Sequence, residues 1–130
     1  MLPNFIVVDD DSINNFLSRE IIDMVFPKAD VQVFSDPDHA LVYIQSTYKD
    51  PNAPNAVLFL DINMPTLSGW QFLDQFERFD KRVREHIDIY MLSSSIDPRD
   101  KDRAANNENV LDFIEKPLTT ELLESLISRF

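Results

Sequence analysis

The sequence predicts an α/β fold with a parallel sheet, and two features of the chain indicate it. Short apolar runs recur along the 130 residues, and each is followed by a turn residue and then by a segment with helical periodicity. Five strand–helix units in succession require a parallel sheet with helices on both faces. An apolar content of 44% is typical of a globular chain with one core. The fifth helix ends the sequence, so we expect a single domain over residues 1–130.

The strands are predicted from apolar runs that end in polar residues. Residues 4–9 (NFIVVD) and 56–61 (AVLFLD) show no polar alternation, which is typical of strands buried on both faces. Residues 31–35, 88–93 and 110–114 complete the set. For a chain of this length with this alternation, we expect the flavodoxin-like doubly wound order 2-1-3-4-5.

The first helix is predicted between Ser12 and Phe26, with Pro27 just beyond it. Six apolar side chains fall on one face of this helix: Ile13, Phe16, Leu17, Ile21, Met24 and Val25. An apolar stripe of this kind is the face by which a helix packs against a core.

Four more helices are expected, which makes five in all. A capping acid and a proline begin the second at residues 35–48, and aromatic spacing indicates the third at residues 70–79. Gly69 is expected to serve only the tight turn into this third helix. The fourth, at residues 97–109, has two alanines as its apolar anchors, so we expect it to be weakly held. The fifth is amphipathic and covers residues 119–130.

Three consecutive carboxylates follow the first strand, in the stretch FIVVDDDS. Two unit charges about 4 Å apart repel by roughly 4 kcal/mol at an effective dielectric near 20. Asp11 or Ser12 can cap the helix that follows, but a cap needs a single acceptor side chain. The alternative is a cation site that includes Asp9 and Asp10, and the ends of the other strands bear on the choice.

Polar residues also follow the third, fourth and fifth strands. Asp61 ends the third strand with Asn63 close behind it, Ser93 ends the fourth, and Lys116 follows the fifth. Ligands of open α/β sheets bind outside the carboxyl ends of the strands, and neighbouring strands lie about 4.8 Å apart. Asp10 and Asp61 therefore come within reach of one ion. Carboxylates and carbonyls are hard oxygen ligands, so the sequence favours a Mg²⁺ site at this edge.

Asp61 also has the neighbours that a phosphoacceptor needs. A carboxylate can attack phosphorus and form an aspartyl phosphate. A transferring phosphoryl group spreads negative charge over its oxygens, so catalysis consists of positioning and electrostatic stabilisation. Mg²⁺, the Lys116 ammonium and the Ser93 hydroxyl can each contact one of these oxygens.

Four stretches together resemble the receiver domain of two-component response regulators, of the single-domain, chemotaxis-regulator-like kind: IVVDDD, VLFLDINMPTLSGW, IYMLSSS and FIEKP. The resemblance covers residues 4–130. It implies a stand-alone phosphoacceptor signalling protein, not an enzyme. Asp61 would take the phosphoryl group from a phosphohistidine on a histidine kinase or a histidine phosphotransfer protein, and the output would pass to an unknown downstream protein.

The resemblance also implies the ligands of the metal. Asp10, Asp61 and the backbone carbonyl of Asn63 would hold Mg²⁺, with Asp9 helping through water.

The resemblance also implies which residues contact the phosphoryl group and which change conformation on activation. Ser93 and Lys116 would contact the phosphoryl group, and the Lys116–Pro117 bond would be cis. Ser93 and Phe113 would be switch residues, with Phe113 changing its rotamer on activation. The conformational change is expected on the face formed by the fourth helix, the fifth strand and the fifth helix.

Charge and composition exclude several other classes. A net charge of −11 opposes general binding to nucleic acid or to anionic membranes. The apolar runs are too short for a membrane span, and the first residues lack the pattern of a signal peptide. The absence of cysteine excludes disulfides and is compatible with the cytoplasm, where we expect the protein as a monomer or weak dimer.

Three other functions were weighed against the residues. A phosphatase of the haloacid dehalogenase type needs a second acid two positions after its nucleophile, where this chain has Asn63. A metal-dependent adhesion module resembles DDSIN but leaves Asp61 and Lys116 unexplained. A degenerate receiver used only as a scaffold would not need the acceptor, hydroxyl and lysine that are all present.

Overall fold

The structure is a computed structural model that describes residues 2–126. Five strands alternate with helices in this part of the chain: β1 (Asn4–Val8), β2 (Val31–Phe34), β3 (Ala56–Asp61), β4 (Ile87–Ser93) and β5 (Val110–Glu115). The described helices are α1 (Ser12–Val25), α2 (Pro37–Thr47), α3 (Gly69–Phe76), α4 (Lys81–Glu85), α5 (Pro98–Ala105) and α6 (Thr120–Ser125). The last predicted helix extends to residue 130, and its residues 127–130 lie outside the described part.

All neighbouring strands of the sheet are parallel, and their order is β2-β1-β3-β4-β5. The predicted order is therefore confirmed. The register aligns the carboxyl ends of adjacent strands: Val8 lies opposite Leu60, and Ser93 lies opposite Glu115. Residues that follow β1, β3, β4 and β5 therefore meet at one edge of the sheet.

Two apolar layers cover the two faces of the sheet. On one face, Ile22 of α1 and Leu123 of α6 pack with Phe5, Val7 and other strand residues. On the opposite face, buried residues of α2, α3, α4 and α5 pack against the strands, among them Ile44, Phe72, Val83 and Ala104. The helices thus lie on both sides, as a parallel sheet requires.

Helix α4 was not predicted from the sequence. The prediction of five helices is corrected to six, because residues 81–85 form a short helix after the end of α3. The Asp80 side chain caps it by accepting a hydrogen bond from the Arg82 backbone N–H at 2.9 Å. Only Val83 of this helix is buried. One buried residue gives no apolar period, so the pattern on which helix prediction rests is absent here.

The prediction that the apolar stripe of α1 packs against the core is correct only for Ile21 and Val25, which are partly buried against the core layer on that face of the sheet. Ile13, Phe16, Leu17 and Met24 are between 47% and 70% exposed, whereas the buried residues of α1 are Asn15, Ser18 and Ile22. The Asn15 amide fixes this orientation, because its Nδ2 donates to the backbone carbonyls of Asp9 at 2.8 Å and Phe34 at 3.3 Å. The other four residues of the stripe therefore face outward. Exposed apolar surface of this kind is typical of a contact surface for another molecule.

Candidate functional site

Three carboxylates lie together at the carboxyl edge of the sheet. Oxygen atoms of Asp9, Asp10 and Asp61 all lie within 4.8 Å of one another. Asp9 and Asp61 are 2% and 3% exposed, whereas Asp10 faces solvent. The structure brings together the acids that the sequence placed at the ends of neighbouring strands.

The third residue of the acidic run, Asp11, serves as a helix cap. Its side chain accepts hydrogen bonds from the backbone N–H groups of Ile13 and Asn14 at the start of α1. Asp9 Oδ1 in turn accepts a hydrogen bond from the Asp11 N–H at 2.9 Å. The cap and the acid cluster are therefore both present, and they use different members of the run.

Lys116 supplies the positive charge of the cluster. Its ammonium lies 2.7 Å from Asp9 Oδ2 and 3.1 Å from Asp61 Oδ1. Burial alone would lower the pKa of Lys116. The hydrogen bond to Asp9 and the negative charges of Asp61 and Asp9 outweigh burial, so the pKa of the lysine is raised and it stays charged. The Lys116–Pro117 peptide bond is cis, as the resemblance implied.

Asp61 is the acid whose environment opposes ionisation. Burial, followed by the negative charge of Asp9, raises the pKa of Asp61 to about 6, although Lys116 and the Asn63 N–H act in the opposite direction. The Asn63 N–H donates to Asp61 Oδ1 at 3.3 Å, and the Asn63 side chain is exposed. The ionised form of the Asp61 carboxylate is therefore unfavourable in this environment. A bound cation, or a covalent bond at one carboxylate oxygen, would lower that cost.

Ser93 lies at the end of β4 and is 2% exposed. Its hydroxyl donates to the backbone carbonyl of Ser95 at 2.6 Å, and its Oγ accepts from the Ser95 N–H at 3.3 Å. Its carbonyl accepts a hydrogen bond from the Lys116 N–H at 2.7 Å, which ties the end of β4 to the lysine. The Ser93 hydroxyl must leave the Ser95 carbonyl before it can donate to a phosphoryl oxygen.

Gly69 supports the site by close approach and not by a special turn. The φ of Gly69 is not positive, so at the predicted turn into α3 the glycine is needed for close backbone approach and not for a left-handed conformation. A Cβ at this position would lie 2.7 Å from the carbonyl oxygen of Asp61 and 2.9 Å from Cα of Ile62. The Gly69 N–H donates to the Ile62 carbonyl at 2.8 Å. The start of α3 therefore lies directly against the backbone of Asp61 and Ile62.

Phe113 lies on β5, two residues before the end of the strand. Its ring is partly buried and packs against the core layer on the α2–α5 face of the sheet. Lys116 follows the same strand three residues later. A change at Phe113 would therefore alter the packing of the face that α5 covers.

The donor set fits Mg²⁺. Carboxylate oxygens and backbone carbonyls are the hard ligands that this ion takes, usually with one or two carboxylates and several waters. Asp10 is exposed and so leaves room for water beside the buried acids. Asp10, Asp61 and the carbonyl of Asn63 are the residues that would hold the ion directly.

An apolar groove of about 340 Å³ lies beside the acid cluster, between α1 and the segment that follows β5. Leu17, Ile21 and Met24 of α1 line one side. Asp9 and Lys116 also line the groove, so it reaches the candidate site. The groove is not predicted from the sequence, because an apolar stripe has the same pattern whether it faces the core or a surface groove.

The chain is similar in sequence to known response regulators. A family model for the response regulator receiver domain matches residues 5–128. The chain is 29% identical to the cyclic di-GMP phosphodiesterase response regulator RpfG of Xanthomonas campestris, over 96% of this chain and 31% of that protein. It is 32% identical to stress response regulator protein 1 of Meyerozyma guilliermondii, over 62% of this chain and 34% of that protein. The chain thus spans about a third of the length of these curated relatives.

Two solved structures are similar over nearly their whole length. A two-component response regulator from Cytophaga hutchinsonii is 30% identical, with a TM-score of 0.88 over 98% of this chain and 96% of that one. A response regulator receiver protein from Dyadobacter fermentans is 26% identical, with a TM-score of 0.89 over 98% and 97%.

Among residues 2–126, no helix combines the length and the apolar character needed to cross a bilayer. Receiver domains of response regulators are signalling modules of two-component systems and take part in phosphorelays. The family match leaves only the first four and last two residues of the chain outside it, and the fold and strand order agree with the solved relatives. This chain belongs to the response regulator receiver domain family.

Proposed function

We propose that the chain accepts a phosphoryl group on Asp61 in a Mg²⁺-dependent reaction. The observation that carries the proposal is the cluster of Asp9, Asp10 and Asp61 with Lys116 at one edge of the sheet. A carboxylate oxygen of Asp61 forms a bond to phosphorus, and the bond from phosphorus to the donor's histidine nitrogen breaks. The imidazole leaves with the electron pair of that bond and takes a proton.

The residues around Asp61 have separate tasks in this reaction. Asp10, Asp61 and the Asn63 carbonyl would hold Mg²⁺, with Asp9 helping through water, and the ion would supply positive charge for the phosphoryl oxygens. Lys116 releases Asp61 and contacts a phosphoryl oxygen, since its ammonium already lies 3.1 Å from the carboxylate.

The remaining residues transmit the change of state. Ser93 turns its hydroxyl from the Ser95 carbonyl to the phosphoryl group, and Phe113 changes rotamer. The surface formed by α5, β5 and α6 then alters and signals to a downstream protein. The proposal places these events in the cytoplasm.

Intact-mass measurement tests the acceptor. Incubation with acetyl phosphate and Mg²⁺ should add the mass of one phosphoryl group, and peptide mapping should place it on Asp61. Chelation of Mg²⁺ should prevent the adduct, because the acid cluster then repels the donor's charge. The Asp61→Asn variant is the control and should gain no mass. An unmodified wild-type protein, or an adduct that persists in Asp61→Asn, would contradict the proposal.

The exposed stripe of α1 is proposed as the surface that receives the phosphohistidine protein. It lines the groove that reaches Asp9 and Lys116, so a protein bound there can bring a histidine to Asp61. Acidic residues flank the stripe, among them Glu20 and Asp23, both exposed. The expected partner therefore has an apolar helix face with lysine or arginine at its rim.

Replacing Phe16, which is 61% exposed, by serine tests this surface. Transfer from a histidine kinase or phosphotransfer protein that phosphorylates the wild type should fall at least about tenfold, because an exposed aromatic side chain of the stripe is lost. Labelling by acetyl phosphate should stay unchanged. Val42→Ser is the matched control, since Val42 is 67% exposed on α2, a helix of the opposite face. Equal transfer to Phe16→Ser and wild type would exclude α1 as the docking surface.

A further inference from the structure

Helix α5 has little apolar surface with which to hold its position. Of its eight residues, only Ala104 is buried. Burial of one alanine contributes far less than the leucines and phenylalanines that anchor α2 and α3. A polar groove of about 600 Å³, lined by residues of both helices, separates the later turns of α3 from the end of α5. Other contacts must therefore fix α5 against α3.

Trp70, the second residue of α3, supplies two such contacts. Its indole Nε1–H donates to Asp100 Oδ1 at 3.2 Å. The guanidinium carbon of Arg103 lies 4.6 Å from the centroid of the same ring, which is the geometry of a cation–π interaction. Asp100 and Arg103 are three residues apart on α5, so they lie on one face of this helix. Trp70 is 8% exposed and Asp100 is partly buried, so the indole–carboxylate hydrogen bond is partly shielded from water, whereas Arg103 is exposed.

The Trp70 contacts are linked to the acceptor through the backbone. Trp70 directly follows Gly69, whose N–H donates to the Ile62 carbonyl next to Asp61. A second connection runs through the loop that precedes the N-terminus of α5. In this loop, the carbonyl and the N–H of Ser95 are both hydrogen-bonded to the Ser93 hydroxyl. Two routes thus join the site to α5, and the Trp70 route is the one that restrains the middle of the helix.

We propose that Trp70, Asp100 and Arg103 form a latch, called here the Trp70 latch, that holds α5 against the start of α3. The latch must open before α5 can move. This static role does not depend on phosphorylation. Its regulatory consequence rests on the proposed function: when Ser93 releases Ser95, the loop pulls on α5 against the latch, and the strength of the latch sets how much of the unphosphorylated protein already has α5 displaced.

Hydrogen–deuterium exchange of the unphosphorylated protein tests the latch itself. In Trp70→Phe and in Asp100→Ala, backbone amides of α5 should exchange about fivefold faster, which is the effect of losing one ordinary hydrogen bond. Amides of α2 should not change. Asp100→Asn keeps an oxygen acceptor for the indole and should restore exchange to near the wild-type rate. Asp102→Ala is the matched control, because Asp102 is an exposed acid of the same helix.

The outcomes separate the latch from a general loss of stability. Unchanged α5 exchange in Trp70→Phe and Asp100→Ala would overturn the proposal. Equal acceleration in α2 and α5 would also overturn it, because the substitutions would then weaken the whole fold. Equal effects of Asp100→Ala and Asp102→Ala would show that helix charge, and not the indole contact, is responsible.

A second measurement links the latch to the site. Trp70 is the single tryptophan of the chain, so its fluorescence reports on the latch alone. Acetyl phosphate with Mg²⁺ should shift the emission of the wild type and leave Asp61→Asn unchanged. Accelerated exchange in the latch variants of a protein that takes no phosphoryl group would keep the latch and reject the proposed function. A phosphorylated protein whose Trp70 emission stays constant would reject the regulatory role.

Discussion

Replacing Asp61 by asparagine should stabilise the metal-free protein at neutral pH, although it removes the acceptor. Two buried carboxylates, Asp9 and Asp61, share one ammonium, that of Lys116. Burial, followed by the negative charge of Asp9, raises the pKa of Asp61 to about 6. Asparagine has the same size and no charge. It leaves Asp9 and Lys116 as a balanced pair, so the expected gain in the free energy of unfolding is about 1–2 kcal/mol.

The sign of the pH dependence follows from the raised pKa. The folded state binds the Asp61 proton more tightly than the unfolded state, so ionisation of Asp61 lowers stability as the pH rises from about 4 to about 6. The advantage of Asp61→Asn should therefore be complete above pH 6 and shrink towards pH 4. Urea unfolding in the presence of a chelator at pH 5 and pH 7.5 measures it.

The exposed acid of the same cluster provides the control for this experiment. Asp10→Asn removes one negative charge at the surface and should change stability by less than about 0.5 kcal/mol. A variant Asp61→Asn that is less stable than the wild type at pH 7.5 would show that the Asp61–Lys116 pair is net stabilising. The loss of phosphorylation in that variant could then be attributed to weakened folding.

Replacing Gly69 by alanine should have the largest destabilising effect of any single methyl addition near the site. The new Cβ would lie under 3.0 Å from two backbone atoms, the Asp61 oxygen and Ile62 Cα, and from Cε of Met91. The flexible methionine can move, but the backbone of a central strand cannot. Overpacking of this kind destabilises by about 1–3 kcal/mol. Displacement of Asp61 should also slow labelling by acetyl phosphate at least tenfold.

The neighbouring cap residue separates these two effects. The Ser68 side chain accepts a hydrogen bond from the Gln71 N–H at 3.2 Å and caps α3. Ser68→Ala should destabilise by about 1 kcal/mol through loss of the cap, without placing an atom against Asp61. Its labelling rate should match the wild type. Slow labelling in Ser68→Ala would indicate that any damage to α3, and not the contact at Gly69, disturbs the acceptor.

The strands and the site could be read from the sequence because both depend on local patterns. Buried parallel strands are continuous apolar runs, and the residues that follow them must meet at one edge once the strand order is known. The sequence therefore predicts that the residues at the ends of β1, β3, β4 and β5 lie together. The roles assigned to Asp61, Ser93 and Lys116 remain predictions that the labelling experiments test.

The orientation of α1 could not be read in the same way. An apolar stripe shows that one face avoids water, but it does not show whether the sheet or another protein covers that face. The sheet is covered by Ile22, Ser18 and Asn15, and the amide of Asn15 satisfies backbone carbonyls at the strand ends. The contacts of Trp70 could not be predicted for a related reason. Its partners lie about thirty residues away on α5, and no local sequence pattern indicates a contact at that separation.

The double contact of Lys116 has one more consequence. Many small metalloproteins need their ion in order to fold, because a cluster of unneutralised ligands would otherwise drive the chain apart. Here the Lys116 ammonium already neutralises one of the two buried acids, so the fold holds only one excess buried charge without an ion. Under the proposed function, chelation of divalent cations should therefore abolish labelling of Asp61 while the native state persists.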